Sequence, residues 1–351
     1  MAQEVRVNAF GGPEALILID VPDPVPGPGE VVVRLTSIGL NHAELMGRRG
    51  EYRLSTGDPP FVPGLEGGGV IEAVGDAVTA RYPGQRVTLA PAVTRPASDH
   101  APGGRGGAYR THYLCDQQDV LPAPDAIPDD QLGALWLPYF TTWGCLAWLH
   151  GLADQPADRR TVALPAASSS LGLAAAQVVK ALGGTAIGMT SSPGKRDALA
   201  ALPTARFDHL LVTHDADRQL LPFHRDLFRL TDGRGVDVFF DPVASGGYLN
   251  NEIKSLAQHG AIYVYGLLGT PGPVDVTPLI RKHAAVRGWV MGEVIEAGEE
   301  AWRSVCQAVL DRFADGTFTQ HLAATYPLAD VARAHEEMER GSHIGKLVLV
   351  P

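Results

Sequence analysis

The sequence predicts an α/β fold: a doubly wound parallel sheet held between the two parts of a β-rich domain. Three observations predict it. Short apolar runs separated by Pro and Gly fill residues 1–128. Apolar runs of strand length then alternate with helical segments over 129–292. A final strand signal, "GKLVLVP", ends the 293–351 tail, which places the end of the chain back in the first domain.

Each element has its own signal. In the first region "EVRVNAF", "EVVVRLTSIG", "GGGVIEAVG", "QRVTLAPAV" and "YRTHYLCD" read as strands, punctuated by turns such as "PDPVPGPGE". Closely spaced short strands with many glycines suggest a small barrel or sandwich. The polar, Gly-rich loop "TRPASDHAPGGRGGA" (94–108) is expected to be mobile. From Asp129 onward "TVALPA", "TAIGMT", "HLLVTH", "VDVFFDPV" and "GAIYVYGLL" alternate with helices, and a helical "PLIRKHA" precedes a sixth run, "AVRGWVM". That alternation means a parallel sheet covered on both faces. The tail adds the amphipathic helix "EEAWRSVCQAVLDRFADG" and a second helix around "LADVARAHEEMERG".

With 351 residues the chain can bury two cores. A net charge of −10 opposes a nucleic-acid surface, which needs clustered cations. The Arg pairs at 48–49 and 159–160 read as solvated faces. Neither a signal-length apolar run nor a membrane-length window occurs, so no membrane association is expected. Three widely spaced cysteines, Cys115, Cys145 and Cys306, give no disulfide framework and fit a reducing cytoplasm.

Chemistry enters at "LPAASSSLGLAAAQ", Leu164–Gln177. A strand, a turn of small residues and a helix follow one another at the first junction of the parallel sheet, where dinucleotide pyrophosphate binds helix N-termini. The usual G-x-G-x-x-G is reduced to Ala167-x-Ser169-x-x-Gly172. Small residues still let backbone approach phosphate, and Ser168, Ser169 and Ser170 add hydroxyls. The same residues would also serve as a plain serine-rich helix cap. About twenty residues on, an NAD site carries an acidic residue for the ribose. Here "GMTSSPGKR" offers Ser191 and Ser192, then Lys195 and Arg196. Hydroxyls and cations suit a 2′-phosphate, which favours NADP(H), although the two cations could equally decorate a helix start.

Over its whole length the chain resembles the zinc-independent, quinone-oxidoreductase-like branch of the medium-chain dehydrogenase/reductase superfamily. The resemblance rests on "VPDPVPGPGEVVVRLTSIGLNHAELMGRRGEY", "PGLEGGGVIEAVGDAV", "LPYFTTWGCL", "AASSSLGLAAAQVVKALGG", "GRGVDVFFDPV", "IYVYGLLG" and "GSHIGKLVLVP", in that order. It implies a GroES-like catalytic domain, a Rossmann domain, NADPH in a cleft between them, and a homodimer. It further implies cofactor contacts at Asn41, His42, Thr141, Ser168, Ser169, Ser170, Leu171, Gly172, Ser191, Lys195, Ser245, Gly266, Leu267, Leu268 and Lys346. Thr213 stands where relatives carry an aromatic or His beside the adenine.

Zinc-using members of the superfamily resemble G-x-C-x-x-D and G-H-E where this chain has Gly39-Leu40-Asn41 and Gly64-Leu65-Glu66. An amide replaces a thiolate and an isobutyl group replaces an imidazole. Residues 92–113 hold no Cys for a structural zinc lobe, and His42, His100, His112 and the "AHEEM" helix show no ligand spacing. No metal is expected. Without a Lewis acid the substrate must already be electrophilic: a quinone, an enone or an enoyl thioester. By resemblance, Tyr52 lines the substrate site and can donate to the substrate oxygen, with Asn41 beside the nicotinamide ribose. A second tyrosine of relatives is Met46 here, while "LPYFTTWG" brings Tyr139, Thr141 and Trp143.

The function expected is NADPH-dependent hydride transfer to a quinone or α,β-unsaturated carbonyl. Two alternatives stand beside it. One is a dedicated enoyl-thioester reductase whose phosphopantetheine arm is met by Arg48, Arg49 and Arg53. The other is a non-catalytic NADPH-binding protein.

Overall fold

A computed structural model describes residues 1–52, 57–91 and 106–351. Arg53, His100 and residues 94–105 of the Gly-rich loop lie outside the described residues. The chain divides into two compact units: Met1–Phe140 with Leu310–Gly316 and Gln320–Pro351, and Thr141–Val309 with Thr317–Thr319.

In chain order, β1 (Ala2–Val7) and β2 (Leu16–Val21) pair antiparallel. β3 (Glu30–Gly39) leads into α1 (His42–Arg49), followed by β4 (Gly68–Val74), β5 (Arg86–Leu89), β6 (His112–Asp116) and β7 (Val120–Pro122). Two π-helical stretches, Trp136–Phe140 and Gly144–Leu149, precede β8 (Thr161–Leu164). Then come α2 (Ser170–Ala181), β9 (Thr185–Thr190), α3 (Pro193–Ala201), β10 (His209–Val212) and α4 (His224–Leu230). β11 (Val236–Asp241), α5 (Gly246–Ser255), β12 (Leu256–Val264), α6 (Thr277–Lys282) and β13 (Ala285–Gly288) complete the alternation. The tail gives α7 (Gly292–Glu296), α8 (Glu299–Ala314), β14 (Leu322–Pro327), α9 (Val331–Arg340) and β15 (Lys346–Val350).

The second unit holds one parallel sheet in the order β10-β9-β8-β11-β12-β13. Strand order reverses between β8 and β11, and ligands of such sheets bind at the carboxyl ends of strands at that point. All six residues of β11 are buried, as a central parallel strand covered on both faces demands. The first unit holds a seven-stranded sheet, β14-β15-β3-β4-β5-β7 with β6 also on β3, in which β15 pairs antiparallel with β3. The α/β architecture is the one the sequence predicts. Strands β2, β7 and β14 were not expected, because each is short or only half-buried and lacks a clear alternation. Among the described residues no helix is long and apolar enough to cross a membrane.

The unit boundaries differ from 128 and 292. Residues 129–140 stay with the β-rich unit because Leu132, Leu135, Trp136 and Tyr139 are buried there. The Trp136 indole Nε1 donates to Thr88 Oγ1 at 2.8 Å, and Tyr139 meets Phe313 edge-on with ring centroids 4.8 Å apart. The later boundary falls within α8, at Val309/Leu310. Composition does not reveal it, because α8 carries one amphipathic pattern throughout.

Replacing Trp136 with Phe removes the indole N–H that donates to the buried Thr88 hydroxyl while keeping most of the ring's packing. Chemical denaturation should show a loss of about 1–3 kcal/mol. An unchanged midpoint would show that this bond does not anchor residues 129–140.

Candidate functional site

Chemistry-bearing residues gather in two clusters, one in each unit. In the parallel-sheet unit, β8 ends at Leu164 and the chain turns through Ala166, a non-glycine residue with φ 53°. Ser169 caps α2: its Oγ accepts from Gly172 N at 3.0 Å. The cap reading of the serine run is therefore true of Ser169, and the hydroxyl takes up one of the amides that an anion at this helix end would seek. Ser168 is buried, while Ser170 and Leu171 are half-buried. A Cβ on Gly172 would lie 2.7 Å from the Ala166 carbonyl oxygen and 2.8 Å from Ala167 Cα. The last glycine of the motif survives because the helix start packs directly on the turn.

At the end of β9, Ser192 caps α3 through Lys195 N at 3.2 Å. Lys195 is half-buried, and its Nζ reaches back to Ser168 Oγ at 3.3 Å. Burial lowers its pKa from the usual 10.5. The ammonium is thus held over the serine turn by the loop itself. Ser191 and Arg196 are exposed. Ser245 caps α5 through Tyr248 N at 3.3 Å, and the unbranched Cα of Gly266 packs against Pro242. Leu267 and Leu268 are exposed. Thr141 is buried, and its hydroxyl has no hydrogen-bond partner among the described residues.

Thr213 follows directly on β10. It is fully buried, donates to the Thr190 carbonyl at 3.2 Å, and accepts from the Tyr248 hydroxyl at 3.0 Å. At the end of β10 it fixes a tyrosine inside the core.

In the β-rich unit, Asn41, Glu44, Glu66 and Lys346 form a buried network. Glu44 accepts from Asn41 N at 2.6 Å and Leu65 N at 2.9 Å. Glu66 accepts from Trp136 N at 2.9 Å and Leu137 N at 3.1 Å on one oxygen, and from Lys346 Nζ at 2.5 Å on the other. Lys346 also donates to Asn41 Oδ1 at 2.6 Å. The Asn41 amide nitrogen meets Glu66 at 3.2 Å and Glu44 and the Gly39 carbonyl at 3.3 Å. Both ends of the Asn41 amide are engaged within the unit, and Lys346 is a buried cation between Asn41 and Glu66. The sequence reading missed Glu44 and Glu66; their signal was a carboxylate three residues after Asn41 and another beside Leu65.

His42 is exposed in the first turn of α1, and Tyr52 is half-buried just beyond the helix, whose C-cap is the left-handed Gly50. Tyr139 is buried against Phe313, and Trp143 faces Phe318 with centroids 6.1 Å apart. Arg48 is fully buried in an ion pair with Glu339, which Arg49 joins at 2.8 Å. Arg48 is therefore not part of a solvated face, while Arg49 is exposed.

Two family models match: the alcohol dehydrogenase GroES-like domain over residues 27–125 and the zinc-binding dehydrogenase over 170–311. The chain is 28% identical to the quinone oxidoreductase of Mus musculus over 355 aligned residues, covering 100% of this chain and 98% of the relative. It superposes on an NAD-dependent alcohol dehydrogenase with TM-score 0.83 at 26% identity, covering 99% of each chain. A mycobacterial protein solved in complex with NADPH gives TM-score 0.82 at 26% identity, covering 100% of both chains. The chain belongs to the medium-chain dehydrogenase/reductase superfamily and is quinone-oxidoreductase-like within it. Its GroES-like and Rossmann-type parts are the β-rich and parallel-sheet units described above.

Burial pushes the Glu44 carboxyl from its usual 4.5 up to about 7, against the pull of Lys346, Asn41 and the Leu65 amide. The folded state therefore holds this proton more tightly than the unfolded chain does. Its contribution to stability is complete below about pH 4.5 and is lost as pH rises through about 7. Melting temperatures between pH 5 and 8 should show a decline that Glu44→Gln flattens. An equally steep decline in that variant would remove Glu44 as its source.

Proposed function

We propose that the protein is an NADPH-dependent oxidoreductase that passes hydride to a quinone or another α,β-unsaturated carbonyl without zinc. The observation that carries the cofactor choice is Lys195, held at 3.3 Å from Ser168 where the second strand ends in serines instead of a carboxylate. An ammonium and hydroxyls favour a 2′-phosphate there. The residues fit a dinucleotide: the bare Gly172 lets α2 start against the turn, and Ser168, Ser170 and the helix amides not taken up by Ser169 would hold the pyrophosphate. When bound, the nicotinamide supplies hydride.

This chain's own work is to hold the dinucleotide and to stabilise the oxygen on which charge develops. Tyr52 is the donor assigned to that oxygen, acting as an oxyanion-stabilising phenol. The absence of a metal role is supported by residue identity. Asn41 and Leu65 stand at the positions of a thiolate and an imidazole. The neighbouring carboxylate, Glu66, already carries the Lys346 ammonium. The quinone class is supported by the named mouse relative and the NADPH choice by the mycobacterial neighbour. Arg48 and Arg49 already pair with Glu339, which weighs against the enoyl-thioester alternative.

The acting form is proposed to be a homodimer in a small-molecule pathway, with no nucleic-acid or membrane partner and a cytoplasmic location. Strand β13 lies at the sheet edge with all four residues exposed, beside Ile280 at 78%, Val276 at 59% and Val290 at 55% exposure. An uncovered apolar edge strand is a pairing surface, and a second copy satisfies it by the same edge.

Two experiments test these readings. Dissociation constants for NADPH and NADH should show that Lys195→Glu weakens NADPH at least about tenfold more than NADH. A uniform loss would refute the 2′-phosphate role, and NADPH binding without turnover on quinones, enones or crotonyl thioesters would favour the non-catalytic reading. Light scattering should give about twice 37.2 kDa for the wild type and the monomer mass for Ile280→Lys/Val290→Lys; a wild-type monomer would end the dimer proposal.

A further inference from the structure

The two strands that flank the reversal of strand order leave the sheet in the same way. After β8 the chain reads Pro165-Ala166-Ala167-Ser168 to the cap Ser169; after β11 it reads Pro242-Val243-Ala244 to the cap Ser245. Each segment carries an alanine in the left-handed region, φ 53° at Ala166 and 51° at Ala244. An L-residue with a Cβ resists that conformation, so the surroundings must impose it.

At β11 the imposing group is visible. Asp241 Oδ1 accepts from Val243 N at 2.6 Å, and Oδ2 accepts from Ala244 N at 2.9 Å. The same turn receives a second segment: Leu268 N donates to the Pro242 carbonyl at 2.9 Å and Gly269 N to the Val243 carbonyl at 2.7 Å. Tyr265 N donates to the Asp241 carbonyl at 2.9 Å. One side chain therefore fixes a strand end and the left-handed turn, and through that turn the 265–269 segment. Ser245, Gly266, Leu267 and Leu268, the residues assigned to the dinucleotide on this side, all lie within or next to these two segments.

We propose that Asp241 is a positioning residue for dinucleotide binding: its carboxylate holds the turn at Ala244 in the left-handed form and thereby sets the shape of the surface made by residues 242–245 and 265–269. The proposal rests on the dinucleotide reading above. Asp241 is fully buried, so it acts through the turn and not by contact. A carboxylate suits the task because it offers an acceptor to both amides. An asparagine keeps one acceptor and turns an N–H₂ group toward the other amide, leaving that donor unpaired. The neighbouring Glu252 is buried with neither carboxyl oxygen hydrogen-bonded among the described residues, so it does not substitute for Asp241 in holding the turn.

The test measures NADPH dissociation constants and melting temperatures for the wild type, Asp241→Asn, Ala244→Gly and the double variant. Asp241→Asn should weaken NADPH roughly tenfold, because fewer molecules present the competent turn. Ala244→Gly alone should change affinity by less than about threefold, and in the double variant glycine should recover most of the loss, since it adopts the left-handed form unaided. If Asp241→Asn does not fold, the double variant is compared with Ala244→Gly. Similar affinities support the clamp, and a tenfold gap overturns it. Wild-type affinity in Asp241→Asn, or no recovery by glycine, overturns the proposal alone. A wild type that binds neither NADPH nor NADH overturns the underlying reading as well.

Discussion

Glu66 is buried with an ammonium on one carboxylate oxygen and two backbone amides on the other. Breaking such a pair from one side leaves an uncompensated charge in the interior, at a cost of about 3–5 kcal/mol. Its partners come from remote parts of the chain: Lys346 from the last strand, Trp136 and Leu137 from the first π-helical stretch, and Asn41 from the cap of α1. The β-rich unit is closed through this one carboxylate. The C-terminal strand must return beside β3 for Lys346 to reach it, and residues 129–140 must stay with this unit for their amides to be satisfied.

The parallel-sheet unit solves a different problem. Its strands end in turns that lead into helix N-termini, where backbone amides without intrahelical partners must be satisfied. Serine caps at Ser169, Ser192 and Ser245 each take up one amide. The glycine-poor turn is consistent with this: where glycine would leave the helix end open, serine closes it in part and keeps the remaining amides in place. Left-handed alanines at two strand ends carry the strain that glycines would avoid, and the Asp241 carboxylate holds one of them in shape.

Most of the architecture was legible in the sequence because it depends on local period and punctuation. The alternation of buried apolar runs with helices gave the parallel sheet, and "GKLVLVP" gave the return of the chain. The serine turn, its surviving Gly172 and the cation at Lys195 were legible for the same reason: each acts within a few residues of its own element. Strands β2, β7 and β14 were not, since their burial pattern carries no alternation. Nor was the boundary at Phe140, which depends on where an indole and two amides find acceptors.

Sequence alone determined the fold class and the placement of the small-residue turn at the first strand–helix junction of the parallel sheet. Tertiary structure decided which polar groups are available. Asn41, Lys346, Thr213, Arg48 and Arg49 all read as plausible ligand contacts in a linear chain, and all are engaged internally by partners that are distant in sequence or come from another element. The physical reason is that a buried polar group must be satisfied, and its partner is chosen by packing across the fold, which no local pattern encodes.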